Sequence, residues 1–403
     1  MTAITNQYIT LIRRRSSELL PTAIRIRREL HMNPELSFRE ENTAHFIARQ
    51  LDNAGIQYMP DIAGTGIIAT LDGTNSDGPV VALRAEMDAL PVNEKNDISY
   101  KSINSGVMHA CGHDAHMAML ICAGLLLREL SHLFSGKIVL LFQPGEELLP
   151  GGASLILKEG TLRRIKPDAI IAQHVLPEME TGYTGFRSGR YMASNDEIYI
   201  SVKGRGGHAA LPGESTDQVT AAAELVCMLK DNIPSDDADN PVVLGIGKFI
   251  ANGATNVIPE KVMIEGTLRT FDEVIREKAH NTIQSISGTV ADKYKVTVDT
   301  EIRRGYPVLF NDPGLTVMGQ KVAAAVSGAE RVTQLPLRMS SEDFAWYSKE
   351  FPVLFFRTGV RKKDSDIRPL HTAAFDIDEK AMQNGIATIV AITLEALLTL
   401  KRG

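Results

Sequence analysis

The sequence predicts an α/β fold in two parts: a mostly parallel sheet with helices, interrupted by an inserted domain of βαββαβ order. Three observations support this. Apolar runs such as "PVVALRAEMDALP", "KIVLLFQPGEE" and "DAIIAQHVLP" alternate with helical patterns, as strands buried on both faces do. From about Asn195 the rhythm changes to strand, helix, two strands, helix, strand, the ferredoxin-like arrangement, before the first pattern returns. A chain of 403 residues is also long for a single core. The expected boundaries are residues 1–192 and 307–403 for the larger domain and 193–306 for the inserted one.

Taken in order, residues 8 to 31 place Ile9, Ile12, Leu19, Leu20, Ile24 and Leu30 at helical spacing, with Arg and Glu between. Pro34 in "ELHMNPELSFRE" breaks that helix, and Glu40 to Ala54 restarts one that Gly55 ends. "GIIATLDG" and "PVVALRAEMDALP" follow as strands, then a helix from His116 to Leu130, the strand "KIVLLFQPGEE", a short helix from Ala153 to Glu159, and the strand "DAIIAQHVLP". In the inserted domain "EIYISVKG", "PVVLGIGKFI", "KVMIEGTLRTF" and "KVTVDTEI" are strands, with helices from Thr216 to Lys230 and from Val274 to Tyr294. "PSDDADNP", residues 234 to 241, reads as an exposed loop. The larger domain resumes with a helix from Leu315 to Val326, a helical "SEDFAWYSKEF", the strand "PVLFFRTG" and an amphipathic helix from Glu379 to Leu400.

A net charge of −6 and a pI near 6.0 leave no basic surface for nucleic acid or an anionic membrane, so the expected partner is a small molecule. The N-terminus "MTAITNQYITLIRRRSSELL" lacks the apolar core and cleavage site of a secretory signal, and no later run of about 18 apolar residues is expected to span a bilayer. The expected location is the cytoplasm. Cys111, Cys122 and Cys227 are odd in number and scattered, which argues against a disulfide framework. Cys122 and Cys227 lie in apolar helical patterns and read as core fillers; Cys111 needs a separate account.

Cys111 belongs to "MHACGHDAHMAM", where His109, Cys111, His113, Asp114 and His116 crowd together. Thiolate and imidazole two residues apart can face one ion, and that pair suits zinc. A cysteine nucleophile with its base, or a helix start with Asp114 as cap and packed histidines, fits the local residues equally well. Distant segments favour the metal. Arg84, Glu86 and Asp88, then Glu146 and Glu147, then His174 each fall at the carboxyl end of an apolar strand, the edge of a parallel sheet where ligands bind. A hydrolytic site needs an anionic ligand and a second carboxylate that takes a proton from a water acidified by the cation, and the "PGEE" pair offers both. With His371 in "PLHTAAFD", five ligand-type residues and a spare carboxylate suggest two metal ions.

In the inserted domain "GRGGHA", residues 204 to 209, fits the loose dinucleotide pattern, but the acidic residue twenty positions on, Glu224, lies inside a helical pattern rather than at a strand end. A glycine-rich bend presenting His208 to a cleft is the better reading. Asn256 in a loop and Arg269 in or ending a strand could together grip a carboxylate.

With these residues in hand, the sequence resembles the aminoacylase and carboxypeptidase-type zinc peptidase family, and most of all its amidohydrolase branch of hippurate hydrolases, auxin-conjugate amidohydrolases and N-acyl-amino-acid deacylases. "LRAEMDALPV", "HACGHDAHMAML", "FQPGEE", "GRGGHAALP", "NVIPEKV", "GTLRTFD", "SSEDF" and "LHTAAFD" run in family order from about residue 25 to 395. The resemblance implies a zinc-peptidase-like catalytic domain with an inserted ferredoxin-like lid and dimerisation domain. It implies metal ligands Cys111, His113, Glu147, His174 and His371, with the thiolate bridging. Glu146 would be the general base that later protonates the leaving amine. His208, Asn256 and Arg269 match lid residues that stabilise the oxyanion and bind the substrate carboxylate; in dimeric relatives the histidine and asparagine reach the partner's site. Two departures stand out: Glu86 where the family often has Asp, and "HTAAFD" where it often has "HSPRFD". Neither removes a ligand, so altered geometry near the site is expected, with activity retained.

The expectation is therefore a metal-dependent amidohydrolase that splits an N-acyl amino acid or related conjugate into a carboxylic acid and an amino acid. Two divalent ions are expected, zinc first and manganese second, with a homodimer formed through the lid's sheet edge. A dipeptidase using the same site is the alternative enzyme. A catalytically silent metal- or ligand-binding module is disfavoured, because a structural site needs no spare base beside its ligand.

Overall fold

The computed structural model describes residues 2–75, 77–211, 213–233 and 240–400. Residues 234–239 of the expected loop lie outside the described residues. Cα proximity divides the chain into two compact units: Met1–Gly189 with Phe310–Pro336 and Trp346–Gly403, and Arg190–Leu309 with Leu337–Ala345.

The first unit is built on an eight-stranded sheet. Its order is Gln57–Ile62, Gly66–Asp72, Lys137–Gln143, Val80–Glu86, Ala169–Glu180, Val353–Arg361, Thr184–Phe186 and Val332–Gln334. The four central strands are parallel neighbours, while antiparallel pairs flank them. Val80–Glu86 is buried along its whole length and Lys137–Gln143 beyond its first residue, which is why these strands read as unbroken apolar runs. Strands of this sheet absent from the sequence reading lie at or next to its edges: "QYMPDI" carries a proline and alternates poorly, and Thr184–Phe186 and Val332–Gln334 have three residues each.

Helices Asn6–Met32, His113–Glu129 and Ala381–Thr399 pack on one another. Ala381–Thr399 corrects one expectation, since it is long and apolar enough to cross a membrane by length and composition. Its most apolar window is 83% buried in the protein, which marks a core helix. The helical reading of "SEDFAWYSKEF" becomes a 3₁₀ helix, Asp343–Lys349.

The second unit holds an antiparallel sheet in the order Val242–Ala251, Lys261–Thr270, Asp196–Lys203, Thr297–Arg304, with helices Gln218–Asn232 and Glu273–Tyr294 against it. This is the βαββαβ arrangement. Ile198, Ile200 and Val202 alternate into its core and meet Leu225, Leu229, Ile283 and Val290 from the helices. Cys122 is buried as expected, but Cys227 is exposed: in its helix the buried positions are Ala221, Ala222, Leu225 and Leu229, and Cys227 falls off that face.

Candidate metal centre

Strand register brings the polar residues of the first unit to one level. Glu86 pairs with Gln143, and Arg84 pairs with Ala172, so two residues further on Glu86 and His174 stand side by side. Just beyond these ends lie Asp88 and the turn carrying Glu146 and Glu147. The Cys111 loop is tied in from both sides, by hydrogen bonds exchanged between Leu90 and Met108 and by the N–H of His371 on the carbonyl of Ala110 (2.8 Å). The His113–Glu129 helix starts here because Gly112 takes φ +88°, and a Cβ on it would stand 2.6 Å from Val175 Cγ2. The resulting close approach of helix start and strand sets the cysteine and histidines against His174.

The histidines separate by what their ring nitrogens do. His113 Nδ1–H donates to the carbonyl of Asp88 (2.8 Å), and His174 Nδ1–H donates to the carbonyl of Val175 (2.8 Å). A carbonyl can only accept, so in the neutral form of each ring it is Nε2 that carries the lone pair. His174 Nε2 lies 3.4 Å from Cys111 Sγ. His113 Nε2 lies 4.0 Å from both Glu146 Oε2 and Glu147 Oε1, and His371 Nε2 lies 3.3 Å from Glu147 Oε1. The structure thus brings Cys111, His113, Glu146, Glu147, His174 and His371 into one chain of neighbours.

His116 is also close to His113 and His174, and with Glu86 these could be grouped as four potential ligands. Bonding argues otherwise. His116 Nδ1–H donates to Glu86 Oε2 (2.9 Å) while its Nε2 accepts from the N–H of Val175 (2.9 Å), so neither nitrogen is open. Glu86 is further committed to an ion pair with Arg84. The set Cys111, His113 and Glu147 is the better donor group. His113 Nε2 and Glu147 Oε1 are buried without a hydrogen bond among the described residues, and thiol, imidazole and carboxylate together suit a borderline-soft divalent cation. His109 is buried with neither ring nitrogen hydrogen-bonded among the described residues, and Asp114 turns to Arg27 (3.0 Å) and His31 (2.8 Å).

The electrostatics point the same way. Burial pushes the Cys111 thiol well up, and the charges of Glu147 and Glu146 push further. Burial alone would lower His113, but its hydrogen bond to Asp88 and the charge of Glu86 outweigh it and raise the ring to about 10. His174 is held well below its ordinary value by burial and then by the cation of Arg357. For Asp88 burial works upward, yet bonding to His113 leaves the carboxyl below its usual range. Excess negative charge around a thiol and a proton-hungry ring is the environment in which a divalent cation displaces protons.

The three other expected site residues lie in the second unit. His208 is exposed on a two-stranded ribbon, Gly207–His208 with Val257–Ile258, and the N–H of Ala209 donates to the carbonyl of Asn256 (3.0 Å), so His208 and Asn256 are neighbours. Arg269, half-buried on strand Lys261–Thr270, donates to the carbonyl of Met339 (3.2 Å) and to Ser341 Oγ (3.3 Å). Sequence reasoning gave no role to Asp88, which orients His113 and accepts from the N–H of Glu147 (2.9 Å), nor to Glu35–Glu40, treated only as a helix break.

The chain is similar to known proteins over most of its length. A model of peptidase family M20/M25/M40 matches residues 82–395. The chain is 37% identical over 369 residues to an N-acetyl-L-cysteine deacetylase of Bacillus subtilis, covering 91% of this chain and 86% of that one. It is 38% identical over 306 residues to an N-acyl-L-amino acid amidohydrolase of Geobacillus stearothermophilus, covering 75% and 82%. Among solved structures, a Bacillus subtilis dinuclear metal-binding peptidase of the M20 family superposes with a TM-score of 0.84 at 29% identity, covering 95% of this chain and 99% of that one.

Proposed function

The chain belongs to peptidase family M20/M25/M40, and from that premise we propose that it is a metal-dependent amidohydrolase that cleaves the amide of N-acyl amino acids or amino-acid conjugates. The observation behind this is the pair of adjacent carboxylates equidistant from His113, of which Glu147 also meets His371. Cys111, His113, Glu147, His174 and His371 would hold two divalent ions, zinc by the chemistry of the thiolate, with manganese the alternative. When bound, such ions supply Lewis acidity to the scissile carbonyl and bring the pKa of a water toward about 7. Glu146 would take a proton from the attacking water and return it to the leaving amine. His208 stabilises the developing oxyanion, and Asn256 and Arg269 receive the amino-acid carboxylate. We place the enzyme in the cytoplasm, where its free cysteines stay reduced, as a homodimer through the second unit.

The Glu146→Gln variant tests the base assignment. Turnover of N-acyl amino acids is expected to fall by about 10²- to 10⁴-fold, with bound metal within a tenth of an equivalent of the parent. Wild-type turnover in that variant removes Glu146 from the mechanism. The family's peptidase members motivate a second reading, cleavage of dipeptides. Side-by-side hydrolysis separates the two, because a free substrate amino group beside two cations is disfavoured unless an acidic group receives it.

A further inference from the structure

The segment Glu35–Glu40, "ELSFRE", holds no proposed ligand or base, yet it touches both Asp88, which orients His113, and the turn that carries Glu146 and Glu147. Its N-terminal half grips the Asp88 side. The carbonyl of Glu35 accepts from the N–H of Ala89 (2.8 Å), and Ser37 Oγ–H donates to Asp88 Oδ2 (2.7 Å), the oxygen that also accepts from the N–H of Glu147. Its C-terminal half grips the turn before Glu146. The Glu40 carboxylate is fully buried and accepts from three donors: the N–H of Phe38 (2.8 Å), the N–H of Gly145 (2.8 Å) and the hydroxyl of Thr65 (2.6 Å).

Gly145 is the residue immediately before Glu146 and adopts φ +58°, so its conformation sets the direction in which Glu146 leaves the turn. Two contacts fix it. Its N–H is bound by Glu40, and a Cβ at Gly145 would lie 2.3 Å from the Phe38 ring, so that ring closes the face against which the turn could shift. Phe38 itself holds φ +62°, a conformation uncommon for a bulky side chain, and the carboxylate of Glu40 on its N–H helps retain it. Nothing in this arrangement serves helix formation alone. The Glu41–Asn53 helix has its first N–H groups capped by Glu35, whose carboxylate accepts from Asn42 and Thr43, which leaves the Glu40 side chain free to face the turn.

We infer that Glu40, with Phe38 packed beside it, is a positioning residue for the reaction: it locks the Gly145 turn and so aims Glu146. This rests on the reading of Glu146 as general base. Misplacing a catalytic group by about 1 Å can cost about 100-fold in rate. Glu40→Ala is therefore expected to lower kcat by about 10- to 100-fold, with KM within threefold and bound metal unchanged. Glu40→Gln keeps an oxygen for the two N–H groups, and the Thr65 hydroxyl can rotate to accept from its amide, so this variant should recover most of the loss. A kcat for Glu40→Ala within twofold of the parent, a loss carried by KM or by metal content, or a Glu40→Gln variant as impaired as Glu40→Ala overturns the proposal. Should Glu40→Ala fail to fold, Phe38→Leu substitutes for it: kcat is expected to drop several-fold at constant KM, and a parent-like kcat overturns the idea. Glu146→Gln measured in parallel keeps the two readings apart, since an active Glu146→Gln refutes the base assignment and an inactive one leaves Glu40 judged on its own variants.

Discussion

His113 and Asp114 are consecutive residues that open two buried polar clusters of opposite character. On the His113 side, the pairs Cys111–His174, His113–Glu147 and Glu147–His371 stand 3.3 to 4.0 Å apart, His371 from an exposed position, and among the described residues His113 Nε2 and Glu147 Oε1 lack hydrogen bonds. On the Asp114 side the cations are saturated: Arg27 donates to Asp114 (3.0 Å), Asp376 (2.6 Å) and Glu379 (3.1 Å), and His31 bridges Asp114 (2.8 Å) and Glu94 (3.3 Å). The difference is instructive because residue types alone do not separate the two sets. A cluster whose cations each meet two or three carboxylates, with Asp114 Oδ1 left without a hydrogen bond among the described residues, fastens the N-terminal helix to the His113 helix and the segment near Asp376. A cluster that leaves lone pairs converging has capacity for a cation.

The sharpest way to break this comparison is to exchange what each cluster loses. Cys111→Ala or His113→Ala should remove bound metal and lower turnover by at least about 10³-fold, with little change in unfolding free energy measured in chelator. Single changes at His116, whose two ring nitrogens are both engaged, or at His109, which falls in none of the groups of converging donor atoms, should cost less metal than either; an equal loss from His116→Gln would dissolve the distinction drawn from its tautomer. In the second cluster, Arg27→Met should leave metal per folded chain unchanged while lowering stability by about 3–5 kcal/mol in urea unfolding, because the fully buried Asp114 loses its guanidinium partner and the part-buried Asp376 and Glu379 lose the cation they share with it. A metal deficit in folded Arg27→Met protein would mean that the two clusters act as one.

The smallest effect is a pH dependence. Burial lowers His31, but Asp114 and Glu94 outweigh it and raise the ring to about 9. A raised folded value contributes stability fully present below the unfolded value near 6.5 and lost as pH rises through about 9. Chelator-treated protein should therefore lose about 1–3 kcal/mol between pH 6.5 and 9 through this ring, and His31→Gln should lessen the slope to the share left by His113, whose ring is also raised, to about 10. An unchanged slope in the variant would assign the titration to another group.

Much of the architecture was legible because apolar periodicity reports burial. The central strands are buried on both faces and read as continuous runs, and the strands of the second unit alternate around Ile198, Ile200 and Val202. Edge strands such as Gln57–Ile62 were not legible, since a half-exposed strand with a proline leaves no such pattern. The candidate ligands stood out because cysteine, histidine and paired glutamates are rare at strand ends. Glu40 did not, because a glutamate at the start of a helix is ordinary and its three donors come from residues 38, 65 and 145.

The sequence by itself determined the order of elements and the residue types available for chemistry, since both follow from local spacing and side-chain identity. Only the tertiary structure decided which histidines keep a lone pair. His113 and His116 lie three residues apart on one helix, and what distinguishes them is a carbonyl at Asp88 for one and a carboxylate at Glu86 with the N–H of Val175 for the other. Those partners are supplied by other strands at a register fixed by the whole sheet, and a ring's tautomer is set by whatever lies across from it.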